Sequence, residues 1–221
     1  MLGFNQDEYL TSAREIIAAR RTAEQVADAI HTAGFSNLFF ASVGGSLAPM
    51  MAIQEFAKEM TSLPVFTEQA AELIAKGNKK LTPDSVVITL SKSGDTQESV
   101  EIARWCREQG IRVVAITREE NSPLAQAATW HIPMRHKNGV EFEYMLLFWL
   151  FFRLLSRHGD FDAYAQFADQ LEVLPDNLLR AKRQFDGRAA EIARRYHQAD
   201  YMMWVGGGEM WGEVYLFSMC I

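Results

Sequence analysis

Two stretches of the sequence share one pattern: a continuous apolar run, a turn rich in glycine or hydroxyl residues, and a helix-forming segment. The first run is residues 37–43 (NLFFASV), followed by Gly44-Gly45-Ser46, and the second is residues 86–90 (VVITL), followed by residues 91–96 (SKSGDT). An apolar run without alternation is typical of a strand buried on both faces, as in parallel sheets covered by helices. The pattern therefore predicts an α/β fold.

The rest of the first 135 residues extends this pattern. Residues 112–117 (RVVAIT) predict a third buried strand, residues 130–133 an edge strand, and residues 64–66 a short strand. Helices are predicted between them at residues 47–60, 68–75 and 97–109. Short connections between strands and helices imply right-handed crossovers, so we expect a three-layer sandwich: a parallel sheet flanked by helices, of the flavodoxin-like or Rossmann-like kind.

The chain is predicted to contain four segments. Residues 1–35 form an N-terminal helical arm that Gly34 ends, residues 36–135 form the α/β unit, and residues 136–199 form connecting helices at 141–157, 161–171 and 175–197. Residues 200–221 form the last segment, in which YMMWV (201–205) and Gly206-Gly207-Gly208 repeat the first strand and its glycine turn. This repetition predicts the start of a second, incomplete copy, with a strand at residues 201–205, in a longer natural chain or one completed by another.

Charge and composition exclude some classes of protein. The 22 basic and 28 acidic residues give a formal charge of −6 without a basic stripe, which argues against nucleic-acid binding. The N-terminus lacks the features of a signal peptide, and the most apolar segment, residues 142–155, is too short to span a membrane, so a cytoplasmic protein is expected. Cys106 and Cys220 lack metal-site spacing and are predicted to be reduced core thiols.

Both turns follow strands and precede helices, where a parallel sheet places ligands. Glycine allows close approach of a ligand, and the helix N-terminus favours an anion. Lys92 could add a positive charge. Four hydroxyl residues could donate to phosphate oxygens: Ser46, Ser91, Ser93 and Thr96. The alternative is that Ser93 or Asp95 caps the helix and that Gly94 is an ordinary turn residue.

Residues 91–98 (SKSGDTQE) resemble the SxSG[DE]TxE signature of the sugar isomerase (SIS) domain, and residues 43–46 (VGGS) resemble the first loop of that family. The resemblance covers residues 36–135 and, as a second domain, the residues from about 200 onward. It implies that Ser46, Ser91, Ser93 and Thr96 bind a sugar phosphate, with backbone contributions from Gly45 and Lys92. It also implies a carboxylate near the sugar at Glu141, although this residue could equally be a first-turn helix acid.

The resemblance further implies a phosphosugar enzyme without a metal or cofactor. A deglycase acting on a fructosamine-type, amino acid-linked sugar 6-phosphate is expected first, because no glutaminase-like domain precedes the α/β unit. The alternatives are an aldose–ketose phosphosugar isomerase and a non-catalytic phosphosugar-binding regulator. The family's catalytic glutamate would lie beyond Ile221. The expected partners are the substrate and further copies of the chain, in a homodimer or larger homo-oligomer.

Two other groups of residues carry predictions. The five histidines are expected at the surface or near helix ends; they are His31, His131, His136, His158 and His197. The aromatic residues of segment 142–155 exceed the needs of one core face, so part of this cluster could pack against another subunit.

Overall fold

The computed structural model describes residues 1, 3–136 and 139–219. Its elements alternate between helix and strand as far as Pro133 and are helical beyond. In chain order they are α1 (Gln6–Ala33), β1 (Asn37–Ser42), a 3-10 turn (Gly44–Ser46), α2 (Ala48–Met60), β2 (Val65–Gln69), α3 (Ala70–Lys76), β3 (Ser85–Leu90), α4 (Gln97–Glu108), β4 (Arg112–Thr117), α5 (Pro123–Ala127), β5 (Trp130–Pro133), α6 (Val140–His158), α7 (Tyr164–Glu172), α8 (Leu174–Tyr196), a second 3-10 turn (Gly208–Met210) and α9 (Trp211–Met219).

The strands form one parallel sheet in the order β2-β1-β3-β4-β5. β4 and β5 have the predicted bounds, and β5 lies at the predicted edge. β2 is longer than predicted, because residues 67–69 continue its pairing with β1. The helix predicted at 68–75 consequently begins two residues later, at Ala70.

Alternate residues of the central strands enter two separate cores. Leu38 and Phe40 of β1 pack with α1, α2 and α6, whereas Phe39 and Ala41 face α3 and α4. All six residues of β1 and all six of β3 are buried, because helices cover both faces of the sheet. The predicted three-layer α/β sandwich is confirmed.

The N-terminal helix packs closely against the rest of the chain. Gly34 follows α1 with a φ of 71°, a conformation that glycine adopts without strain, and so ends the helix where predicted. The buried stripe of α1 includes Ile16 and Ile30 and packs along α6. Asp28 of α1 accepts hydrogen bonds from Arg153 and Arg157 of α6 at 2.7–3.0 Å. The helical arm is therefore a structural layer of the sheet unit.

The aromatic cluster of α6 packs within the chain. Phe148 and Phe152 contact Phe56 of α2 in edge-on geometry, with ring centroids 5.7 and 5.6 Å apart. Phe152 also packs against Phe161 and Phe167, at 5.3 and 4.7 Å. Much of the aromatic cluster therefore packs against α2 and the residues that follow α6 within the same chain. Within the described part of the chain, no helix is long and apolar enough to cross a membrane.

The strand predicted at residues 201–205 is wrong. These residues have no strand pairing among the described ranges and are largely exposed; Tyr201 keeps 77% and Val205 89% of its accessible surface. A strand is stable only when a neighbour satisfies its backbone groups, and residues 201–205 pair with none of the five strands of the described sheet. Of the two predicted core thiols, Cys106 is free and buried, and Cys220 lies outside the described residues.

Candidate functional site

The order of the strands reverses between β1 and β3. The chain passes from β1 to β2 on one side of the sheet, and from β3 to β4 and β5 on the other. The loops after β1 and β3 therefore flank the topological switch point, where open α/β sheets bind ligands. The Ser42 hydroxyl at the end of β1 donates to the Leu90 carbonyl at the end of β3 at 2.7 Å. This bond fixes the two strand ends beside each other, so the two predicted loops meet at one edge.

The loop of residues 91–96 is held by its own hydrogen bonds. Ser91 is buried, and its Oγ lies 2.7 Å from Thr96 Oγ1 and accepts the Gly94 N–H at 3.1 Å. The Gly94 carbonyl in turn accepts the Leu124 N–H at 3.0 Å. Gly94 has a φ of 75°, and a Cβ at this position would overlap the side chains of Ser122 and Thr117. This loop therefore requires glycine, and Ser91 orders it from inside.

The loop presents polar groups at the start of α4. Thr96 is the N-cap residue and its side chain makes no capping bond, so the alternative prediction that Ser93 or Asp95 caps the helix is wrong. Ser93 is exposed, while Lys92 and Thr96 are half-buried. The first N–H groups of a helix lack intrahelical partners and attract anions. Hydroxyls, a lysine and a helix N-terminus thus meet where a phosphate could bind.

The first loop lies under the C-terminal helix of the described chain. Gly44 has a φ of 57°, and Gly45 and Ser46 are half-buried in the 3-10 turn. A Cβ on Gly45 would lie 3.4 Å from Leu216 Cδ1, and one on Gly212 would overlap the Ala48 carbonyl oxygen. Helix α9 consequently packs directly against this turn and the start of α2.

Two further hydrogen bonds attach α9. Tyr144 Oη donates to Glu213 Oε1 at 2.6 Å, and Gln69 Nε2 donates to Tyr215 Oη at 3.2 Å. Burial raises the pKa of Tyr144, and Glu213 raises it further by accepting its proton in a hydrogen bond. Residues of α9 therefore form one wall of the candidate site.

Sequence reasoning missed a buried carboxylate beside Lys92. Glu143 is 6% exposed, and its Oε1 lies 3.9 Å from Lys92 Nζ and 3.9 Å from His136 Nε2. Burial raises the pKa of Glu143 from its ordinary value of 4.5 to about 7, against an opposing effect of Lys92. An acidic residue within the apolar run 142–155 was the available signal, since buried carboxylates are rare.

The prediction that His136 lies at the surface is wrong. Its side chain is fully buried and packs against the Phe142 ring, with centroids 5.5 Å apart. Arg118 Nη2 donates to the His136 carbonyl at 3.0 Å. These contacts hold the loop after β5 against the start of α6, with His136 Nε2 3.9 Å from Glu143 Oε1.

Glu141 lies apart from the two loops. Its Oε1 accepts a hydrogen bond from Lys182 Nζ of α8 at 2.9 Å. It lines a cavity formed by α1, α6 and α8, and neither Gly45, Ser46 nor any residue of 91–96 is among the described lining residues. The structure thus brings Gly45, Ser46, Ser91, Lys92, Ser93 and Thr96 to one sheet edge. It places Glu141 in a different cavity.

A comparison with protein families matches the SIS domain to residues 37–152, just over half of the chain. The matched segment begins at β1 and ends within α6, so it contains both loops. The chain belongs to the SIS domain family, as its two motifs indicated.

Particular relatives support the same family. Fructosamine deglycase FrlB of Bacillus subtilis is 27% identical over 192 residues, covering 84% of this chain and 58% of that protein. Glutamine–fructose-6-phosphate aminotransferase of Bartonella quintana is 24% identical over 60% of this chain and 22% of its own length. A B. subtilis structure designated a phosphosugar isomerase superposes with a TM-score of 0.85 at 23% identity, covering 94% of this chain and 65% of that one. The chain thus spans about three fifths of the length of the deglycase.

Proposed function

We propose that the chain provides the phosphosugar-binding half of a deglycase that acts on an amino acid linked to C1 or C2 of a sugar 6-phosphate. The observation that carries this proposal is the pair of loops at the switch point. There, hydroxyls, Lys92 and the N-terminus of α4 converge on a position suited to a phosphate. The similarity to a fructosamine deglycase over 84% of this chain favours a sugar-linked amine as the substrate.

The six residues of the two loops divide into two roles. Ser93 and Thr96 donate hydroxyl hydrogens to the phosphate, Lys92 supplies a charge, and Gly45 and Ser46 contact it from the first loop. Ser91 is buried and shapes the loop through Thr96 and Gly94. Binding the phosphate orients the distant C1 and C2 atoms, because binding energy remote from the reacting bond positions the substrate.

The reaction is proton transfer between C1 and C2, followed by hydrolysis of the carbon–nitrogen bond. Water adds across this bond, so that the amine leaves with a proton and the sugar phosphate keeps the oxygen. A general base and an acid are required. We expect the catalytic carboxylate beyond Ile221, in a second SIS domain that residues 200–221 begin. Exposed apolar residues 201–205, and the contact of α9 with α2, support such a continuation.

The proposal is tested by titrating the complete gene product with fructosyl-lysine 6-phosphate and with its unphosphorylated analogue, while the release of glucose 6-phosphate is followed. Ser93→Ala should weaken binding of the phosphorylated compound by about tenfold, the scale of a hydrogen bond to a charged group, and leave the analogue unaffected. Asp95→Ala is the comparison variant, because Asp95 is also exposed in the same loop but cannot donate to a phosphate. It removes a negative charge and should not weaken binding of the phosphorylated compound.

Equal effects of Ser93→Ala on both compounds would contradict the phosphate site. Phosphate-dependent binding with release of glucose 6-phosphate supports a deglycase. Phosphate-dependent binding without turnover would instead favour an aldose–ketose isomerase of another sugar, or a phosphosugar-binding regulator.

A further inference from the structure

The cavity that contains Glu141 lies outside the phosphate site. It has a volume of about 520 Å³, within the range of small-molecule sites. The N-terminal part of α1, the turn into α6 and one side chain of α8 enclose it. Its described lining residues are Gly3, Phe4, Asn5, Glu8, Tyr9, Ser12, Gly139, Glu141 and Lys182.

The lining carries charges of both signs. Glu8 and Glu141 contribute two carboxylates, and Lys182 contributes one ammonium group, 2.9 Å from Glu141. The helix N-terminus of α1 offers little to an anion, because the Asn5 side chain already accepts the N–H groups of Asp7 and Glu8 at 3.1 Å. With an excess of carboxylates, the cavity disfavours a second phosphate and favours a ligand that bears an ammonium group.

Lys182 adds a place for a carboxylate. Its ammonium group also lies 5.5 Å from the centroid of the Tyr9 ring, within the range of a cation–π contact. Tyr9 is fixed in turn, since its hydroxyl donates to the Pro175 carbonyl at 3.3 Å. The adjacent ammonium group of Lys182 and carboxylate of Glu141 match the neighbouring carboxylate and ammonium groups of an amino acid. Tyr9 and Phe4 offer apolar surface beside them.

The cavity adjoins a second depression that lies between it and the phosphate loop. Glu8 and Ser12 line this second depression together with Arg118 and His136. The Arg118 N–H donates to the Lys92 carbonyl at 3.4 Å, and His136 lies 3.9 Å from Glu143, which itself lies 3.9 Å from Lys92 Nζ. A ligand in the cavity is therefore separated from the phosphate loop by one adjoining depression.

We infer that this cavity binds an amino acid, with its ammonium group between Glu8 and Glu141 and its carboxylate on Lys182. The amino acid is either free or the amino-acid part of the sugar-linked substrate, and only the second source rests on the proposed function. The phosphate loops would then hold one end of such a substrate and this cavity the other.

The test is calorimetric titration of the complete gene product with L-lysine, its decarboxylated analogue cadaverine, fructose 6-phosphate and fructosyl-lysine 6-phosphate. Lys182→Met should lower affinity for the amino acid or its sugar-linked form by about tenfold and leave fructose 6-phosphate unchanged. It should not weaken cadaverine, because the substitution removes a positive charge beside Glu141. Glu141→Gln should weaken the ammonium-bearing compounds, cadaverine included. Arg188→Met, on an exposed part of the same helix, is the control, and urea midpoints establish that each variant folds.

If free L-lysine binds and Lys182→Met weakens that binding, the cavity binds a free amino acid. If Lys182→Met weakens only the binding of fructosyl-lysine 6-phosphate, the cavity binds the amino-acid part of the sugar-linked substrate. If fructose 6-phosphate binds but Lys182→Met changes no affinity, the inference is overturned while the phosphate site stands. If L-lysine binds through Lys182 but neither phosphosugar binds, the inference stands and the proposed function fails.

Discussion

Replacing Gly94 with alanine tests whether the loop of residues 91–96 is built as described. Gly94 has a φ of 75°, and alanine in the left-handed region costs about 1–2 kcal/mol. The added Cβ would also overlap the side chains of Ser122 and Thr117, and overpacking of this kind costs about 1–3 kcal/mol. Ser122 cannot move away freely, because its hydroxyl accepts the Ala125 N–H at the start of α5. Together these costs predict a loss of about 2–5 kcal/mol in the free energy of unfolding.

Gly110→Ala provides the matched control. Gly110 has nearly the same φ, 73°, but no atom lies within 4 Å of where its Cβ would be. This variant should therefore lose only the backbone cost, about 1–2 kcal/mol. Urea unfolding of both variants, followed by tryptophan fluorescence, gives the two free energies. If both variants lose the same free energy of unfolding, Gly94 is not packed against Ser122 and Thr117, and the argument that the loop is rigid fails.

Two further predictions concern α9 and Glu143. Gly212→Ala should separate α9 from α2, because the added Cβ would overlap the Ala48 carbonyl. Faster hydrogen exchange of the α9 amides would detect this separation. Gly187→Ala, at an open helical position, is the control and should leave the α9 amides protected. Burial raises the pKa of Glu143 from its ordinary value of 4.5 to about 7 in the folded protein. Between these pH values the folded state therefore binds more protons than the unfolded state. The free energy of unfolding should consequently fall as the pH rises from 4.5 to 7. Glu143→Gln should flatten that dependence in urea midpoints measured across this range, and an unchanged slope would mean that Glu143 is not the titrating group.

The sheet and both loops were predictable because their signals are local. The bounds of β4 and β5 follow from short apolar runs between turn residues, and the motif of residues 91–96 identified the polar loop. The role of Ser91 was not predictable, since its burial depends on Thr96 and Gly94 in the folded loop. Local sequence gives the identity of the loop residues, whereas packing decides which of them face a ligand.

The predictions that failed depend on distant partners. Residues 201–205 have the composition of a buried strand, but a strand forms only beside another one. His136 was expected at the surface because it lies in a loop beside Arg135 and Lys137, yet its ring is buried against Phe142. Glu141 and Glu143 stand two positions apart on α6 and therefore point about 200° apart around the helix, into different surroundings. One-dimensional spacing could not show which carboxylate approaches Lys92.

The pairing of α1 with α6 has a consequence for synthesis on the ribosome. Arg153 contacts Asp28 across 125 residues of chain, so much of the apolar stripe of the first helix stays exposed until α6 has emerged. The strands leave the ribosome before α6, so the face of the sheet that α6 covers also stays exposed until that helix follows. Contacts so distant in sequence slow folding and leave apolar surface open to association with other nascent chains. Chaperone capture should therefore end only after all of α6, which ends at His158, has left the ribosome.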